Sequence, residues 1–189
     1  MQELRKRCEA TEVASGAAPL RLHAARVLPE WIDYNGHMTE HRYLQVFGEA
    51  TDALLRHIGA DAAYVAAGHS YYTVETHLRH LTQARVDEAL EVSTQILSAD
   101  AKRIHLFHTL QRPADETLLA TAEHMLLHVD AAAERACAAG AEVLAQVLRL
   151  AAAQRALPHP AAAGRHVGQR PTAHDEQTPD SRVGRAEHR

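Results

Sequence analysis

The chain has 189 residues, 46% of them apolar, and a formal net charge of −4. This is enough for one domain of ordinary size with tails, and the charge balance gives no footing for a nucleic-acid or anionic-membrane partner. No apolar run approaches about 20 residues and Met1 to Glu9 lacks the apolar stretch of a secretory signal, so a cytoplasmic protein with no membrane span is expected.

Residues 1–19 are polar and small, and Ser15 to Pro19 reads as a flexible linker into the domain. Arg21 to Val27 alternates as a short strand that Pro29 ends. A polar loop follows, and then Tyr43, Leu44, Phe47, Ala50, Leu54 and Ile58 recur at helical spacing. Thr39 is the expected N-cap, Glu40 suits the first turn, and Gly59 closes the helix. Four strand-like stretches come next, at 72–81, 90–97, 104–111 and 118–129. The connections at Asp87-Glu88, at 100–102 and at 113–116 are short and polar, as hairpin turns are. The order predicts an α+β fold in which an antiparallel meander wraps one long helix.

Residues 131–157 are rich in alanine, and Val143, Leu144, Val147, Leu148 and Ala151 predict a C-terminal helix that Gly140 interrupts. From residue 158 to 189 there are four prolines, charges of both signs and few large apolar residues, so a disordered tail is expected. Arginine outnumbers lysine 18 to 2, which we read as coding bias. Cys8 and Cys137 imply neither a disulfide framework nor a metal site. The 15 histidines show no zinc-ligand spacing, and no metal is expected.

The most informative run is Trp31-Ile-Asp-Tyr-Asn-Gly-His-Met-Thr-Glu-His-Arg-Tyr43. It places a carboxylate, Asp33, in a turn just before a helix whose first backbone N–H groups are free and whose dipole is positive. An acid or nucleophile beside such donors suits cleavage of an activated acyl group. Asp33 also reads as a turn residue that accepts backbone N–H groups, and the sequence leaves both roles open. With only five tyrosines, two phenylalanines and one tryptophan, the nearness of Trp31, Tyr34 and Tyr43 is notable. Tyr71 and Tyr72 enter the strand expected beside them. Rings with carboxylates such as Glu40 and Glu75 form the kind of site that holds a cation without hydrogen bonds. The plainer reading, that these rings are core, holds for Tyr43 and Phe47 on the helix stripe.

Asp33-Tyr34-Asn35-Gly36-His37-Met38, continued by Tyr43-Leu44 and Phe47 and followed by the strands in this order, resembles the hotdog-fold acyl-CoA thioesterases of the 4-hydroxybenzoyl-CoA type. The resemblance covers residues 20–130, making this stretch the hotdog domain between the N-terminal segment and the C-terminal helix. Within that family, 34–40, Tyr43 to Gly48, 50–55 and Ser70 to His77 look like the betainyl-CoA thioesterases of carnitine catabolism. In some bacteria these are fused to L-carnitine dehydrogenase. The resemblance implies hydrolysis of betainyl-CoA to glycine betaine and CoA, with CoA as part of the substrate and no separate cofactor.

It further implies that Asp33 is nucleophile or general base, and that the backbone N–H groups of Glu40 and His41 form the oxyanion site. Asn35 and His37 would orient the carboxylate or water. Trp31, Tyr34, Tyr71, Tyr72 and Glu75 become candidates for the acyl group, and Arg79, Arg85, Lys102 and Arg103 for the CoA phosphates. A homodimer or homotetramer is expected, because one sheet edge is open. Two departures from the family stand out: Glu40 occupies the position of a usual Asn, and Asp87-Glu88 replaces a usual Gly. Alternatives are a thioesterase for another short or aromatic acyl-CoA and a non-catalytic acyl-CoA-binding protein.

Overall fold

Alternation of apolar and polar residues is strictest after residue 88, and those stretches form the centre of a curled antiparallel sheet. The computed structural model describes residues 18–168. Its strands are β1 (Leu20–Arg26), β2 (His69–His80), β3 (Ala89–Ala99), β4 (Arg103–Arg112), β5 (Thr117–Asp130) and a short β6 (Arg135–Ala136). The order across the sheet is β1-β3-β4-β5-β2, with β6 against the end of β5. The helices are α1 (Glu40–His57), α2 (Ala62–Ala66) and α3 (Ala141–Gln154).

The expected four-strand meander therefore holds only for β3, β4 and β5. β2 lies at the far edge, paired with β5 from His69↔Asp130 to His80↔Ala120, and Asp87-Glu88 is not a hairpin turn. The reason lies in the backbone bonds of residues 81–88. The N–H groups of Leu81 and Thr82 both donate to Leu119 O, at 2.9 and 3.0 Å, and Ala84 O accepts from Met38 N–H at 2.9 Å. At the other end Asp87 N–H donates to Val27 O and Val27 N–H donates to Glu88 O. The segment is thus carried across the molecule and delivers β3 beside β1. Asp87 sits at φ 65, a left-handed conformation that Asp tolerates better than most residues with a side chain.

α1 lies in the concave face of the sheet, over two apolar lobes separated by a polar belt. Tyr43, Val46, Phe47 and Ala50 pack on Leu90, Val92, Leu110, Ala120 and Ala122. Leu54 and Ile58 pack on Ile96, Ile104, Leu106 and Leu126, and α3 closes that lobe with Val143, Val147 and Leu150. Each large side chain so buried contributes about 1.5–3 kcal/mol. Between the lobes run Thr51, Thr94, His108 and His124, all at most 5% exposed. Thr51 Oγ lies 2.9 Å from His108 Nε2 and 3.3 Å from His124 Nδ1, and Thr94 Oγ lies 2.9 Å from His108 Nδ1.

The C-terminal helix is shorter than expected. Residues 131–140 are not helical, because the Asp130 carboxylate accepts the N–H groups of Ala132 and Ala133 and folds the chain into a turn. Gly140 then occupies the N-cap position of α3. Residues 158–168, the first part of the expected tail, run in turns along the sheet, where Gly164 N–H donates to Glu123 Oε2 at 2.7 Å. Residues 1–17, with Cys8, and 169–189 lie outside the described residues.

Candidate active site

Residues 32–38 close on themselves. Ile32 bridges Met38, Asp33 N–H donates to His37 O, and Gly36 N–H donates to Asp33 O, both at 3.0 Å. Gly36 makes this turn at φ +78, where a residue with Cβ is strained. The two readings of Asp33 prove compatible: Oδ1 accepts Asn35 N–H at 2.7 Å, while Oδ2 has only a 3.4 Å approach from Asn35 Nδ2. One carboxylate oxygen builds the turn and the other has only that long contact.

Thr39 stands at the N-cap position of α1 with extended backbone, but its hydroxyl does not cap the helix. It donates instead to Trp31 O at 3.0 Å, the same carbonyl that takes the Thr39 N–H. Among the described residues the first-turn N–H groups of Glu40 and His41 consequently have no protein acceptor. Such a helix start can bind a developing negative charge.

Asp33, Asn35, His37 and Glu40 line one open cleft of about 680 Å³. Its other wall is Tyr43, His80 and residues 81–83. Tyr43 is buried, its hydroxyl accepts Ala84 N–H at 3.0 Å, and its ring meets His80 edge-on at 4.8 Å. Burial pushes the Tyr43 phenol up. This side chain is both core, as the helix stripe implies, and a tie between α1 and the crossing segment. His80, Thr82 and Gln83 were not legible as site residues, since their position depends on β2 pairing with β5 rather than β3.

The expected aromatic grouping does not assemble within one chain. Trp31 is core, 6% exposed, with the Arg42 guanidinium 5.7 Å from its ring centroid. Tyr34 is 96% exposed at the loop tip. Tyr71 is buried in the second lobe against His128, at 4.9 Å, and burial pushes its phenol up to about 12. Tyr72 and Glu75 are exposed on β2. Nine residues of strand put Tyr71 about 30 Å from His80. Of the basic residues, Arg79 is half-buried on β2 and Arg85 is exposed in the crossing segment. Lys102 and Arg103 lie at the β3–β4 turn, where Arg103 Nε donates to Asp100 Oδ2 at 2.8 Å; none of the four lines the cleft.

A β1-β3-β4-β5-β2 sheet curled around one helix, with an acidic loop facing the helix start, defines a hotdog fold. The chain belongs to the thioesterase-like superfamily, whose signature matches residues 27–147. It is 47% identical over 150 residues to the betainyl-CoA thioesterase of Pseudomonas aeruginosa, covering 79% of this chain and 94% of that one. It is 55% identical over 157 residues to the L-carnitine dehydrogenase/betainyl-CoA thioesterase of Rhizobium meliloti, covering 83% of this chain but only 31% of that protein. Among solved structures, a Staphylococcus aureus protein in complex with CoA superposes with a TM-score of 0.75 at 24% identity, covering 81% of this chain and 98% of that one. No helix among the described residues is long and apolar enough to cross a membrane.

Proposed function

We propose that this chain hydrolyses betainyl-CoA to glycine betaine and CoA, in the cytoplasm, in carnitine degradation. The observation that carries the reading is that Asp33 and the uncapped start of α1 line the same cleft. The relatives named for betainyl-CoA supply the acyl group. A thioester carbonyl is already electrophilic, so the chain needs no cofactor beyond the CoA of its substrate.

With the thioester oxygen on the N–H groups of Glu40 and His41, Asp33 has two routes. Its free oxygen attacks the carbonyl carbon, expelling the CoA thiolate and leaving a mixed anhydride that water opens. Alternatively it takes a proton from a water that attacks the same carbon. Both routes place negative charge on the thioester oxygen, where the helix start stabilises it; one such donor contributes about 3–4 kcal/mol. Asn35 holds the Asp33 turn, and His37 lies beside it to orient the carboxylate or the water.

The functional unit in this reading is a homo-oligomer joined along β2, with an L-carnitine dehydrogenase as its pathway neighbour, since the Rhizobium relative carries both names in one chain. The outer edge of β2 has no strand beside it among the described residues, and Tyr72 and Val74 are 52% and 56% exposed there. An antiparallel pairing about the middle of β2 lays the Tyr72 end of one protomer beside the His80 end of its partner, which would reunite Tyr72 with the cleft. Charging this edge with Tyr72→Lys and Val74→Lys together is expected to shift the protein to monomer in sedimentation velocity. An unchanged oligomer would place the interface elsewhere.

The activity is tested by thiol release from betainyl-, acetyl-, butyryl-, benzoyl- and 4-hydroxybenzoyl-CoA. Betainyl-CoA is expected to have a kcat/KM at least about tenfold above the others, a margin equal to one charged contact. Binding of CoA esters with no hydrolysis would leave only an acyl-CoA-binding protein.

A further inference from the structure

Resting on that reading, we propose that the Glu40 side chain is the counter-charge that selects a cationic acyl group. The cleft that holds Asp33 is lined by two carboxylates, Asp33 and Glu40, and by no lysine or arginine. That is an unfavourable lining for an ordinary acyl-CoA. The CoA arm brings only negative charge, and the reaction develops another on the thioester oxygen. A carboxylate beside them opposes both, unless the acyl end carries a positive charge of its own.

Glu40 is free to serve that purpose. Its carboxylate makes no hydrogen bond or ion pair among the described residues, and it is exposed to the cleft. The nearest cation on the same helix, Arg42, is committed elsewhere: its guanidinium lies over Trp31, and Nη1 donates to Gln45 Oε1 at 2.6 Å. A carboxylate in the first turn also complements the helix dipole, but that role is blind to the substrate. A trimethylammonium group cannot donate a hydrogen bond, so charge and ring contacts are the means of holding it, and the cleft is lined by Glu40 and by the exposed His80 ring. The Glu40 side chain therefore acts on specificity while its backbone N–H, which the side chain does not alter, keeps its role.

The test compares betainyl-CoA with 3,3-dimethylbutyryl-CoA, whose acyl group has the same shape with a neutral carbon in place of the quaternary nitrogen. Wild type is expected to prefer the cation, and Glu40→Gln to lower the ratio of the two kcat/KM values by about tenfold, mostly through KM for betainyl-CoA. Glu40→Asp should restore part of the ratio. Because the readout is a ratio, any general loss through the helix start cancels. If Glu40→Gln lowers both substrates equally, Glu40 acts on the helix and the proposal fails while the betainyl-CoA reading stands. If wild type hydrolyses the neutral isostere as well as the cation, both fail.

Discussion

Asp33→Asn is expected to lower kcat for thioester hydrolysis by about 10³-fold while leaving the melting temperature within about 2 °C of wild type. The two effects separate because the two carboxylate oxygens have different jobs. Oδ1 accepts the Asn35 N–H at 2.7 Å, and the amide oxygen of an asparagine can accept the same bond, so the turn survives. What disappears is the carboxylate charge, and with it the nucleophile or base of the proposed reaction. Asp33→Ala removes both, and should add a stability loss of about 1 kcal/mol as the Asn35 N–H loses its partner. Circular dichroism melts and steady-state kinetics on the two variants check this together. An Asp33→Asn protein that keeps more than a tenth of wild-type kcat would show the carboxylate to be a turn residue only.

How far the sequence anticipates this site depends on the range of the interactions involved. The Asp33 turn, the start of α1 and the three central strands are set by contacts a few residues apart, and periodicity and turn chemistry report those directly. The place of β2 is decided by bonds from Leu81 and Thr82 to Leu119, nearly 40 residues away, and by the Val27–Asp87 and Val27–Glu88 pairings across 60. No local pattern carries that information, so the sequence does not mark His80 and Gln83 as cleft residues. The aromatic grouping separates within one chain for a related reason: Trp31 and Tyr34 are neighbours in sequence, but burial puts one in the core and the loop tip carries the other outward. The helix expected over 131–157 lost its first ten residues because helix propensity competes poorly with an aspartate that accepts two backbone N–H groups at once.

The buried belt should make the fold sensitive to acid, with about 3 kcal/mol of stability lost through His124 alone as pH falls from 6.5 to 4, and a further loss through His108. Burial holds the His124 imidazole down to about 4, against 6.5 for a free histidine. His108, wholly buried, is held well below its ordinary value too, by burial first and then by the nearby His124 and His23. Between pH 6.5 and 4 the unfolded chain binds protons at these rings and the folded chain does not, so stability rises with pH across that window and is lost on the way down. The carboxylates of Asp100, Asp115 and Asp130, held low by backbone and side-chain hydrogen bonds, act in a separate window below 3.8.

The hydrogen bonds explain why the belt accepts no extra proton. If the Thr51 hydroxyl donates to Phe47 O, at 3.0 Å, then His108 Nε2–H and His124 Nδ1–H both donate to Thr51 Oγ. His108 Nδ1 then accepts from Thr94, and the lone pair of His124 Nε2 is left without a partner. A proton on either ring would put a charge between two apolar lobes with no carboxylate in the network to meet it. Urea titrations at pH 7, 5.5 and 4.5 should give a falling midpoint at constant slope. His124→Leu, which removes one titrating ring at similar volume, should flatten that fall in part, the remainder belonging to His108. A wild-type midpoint unchanged between pH 7 and 4.5 would mean that the belt is charged or wet. In that case the sheet does not grip α1, and so does not hold the helix start at the Asp33 cleft, by the dry contacts described above.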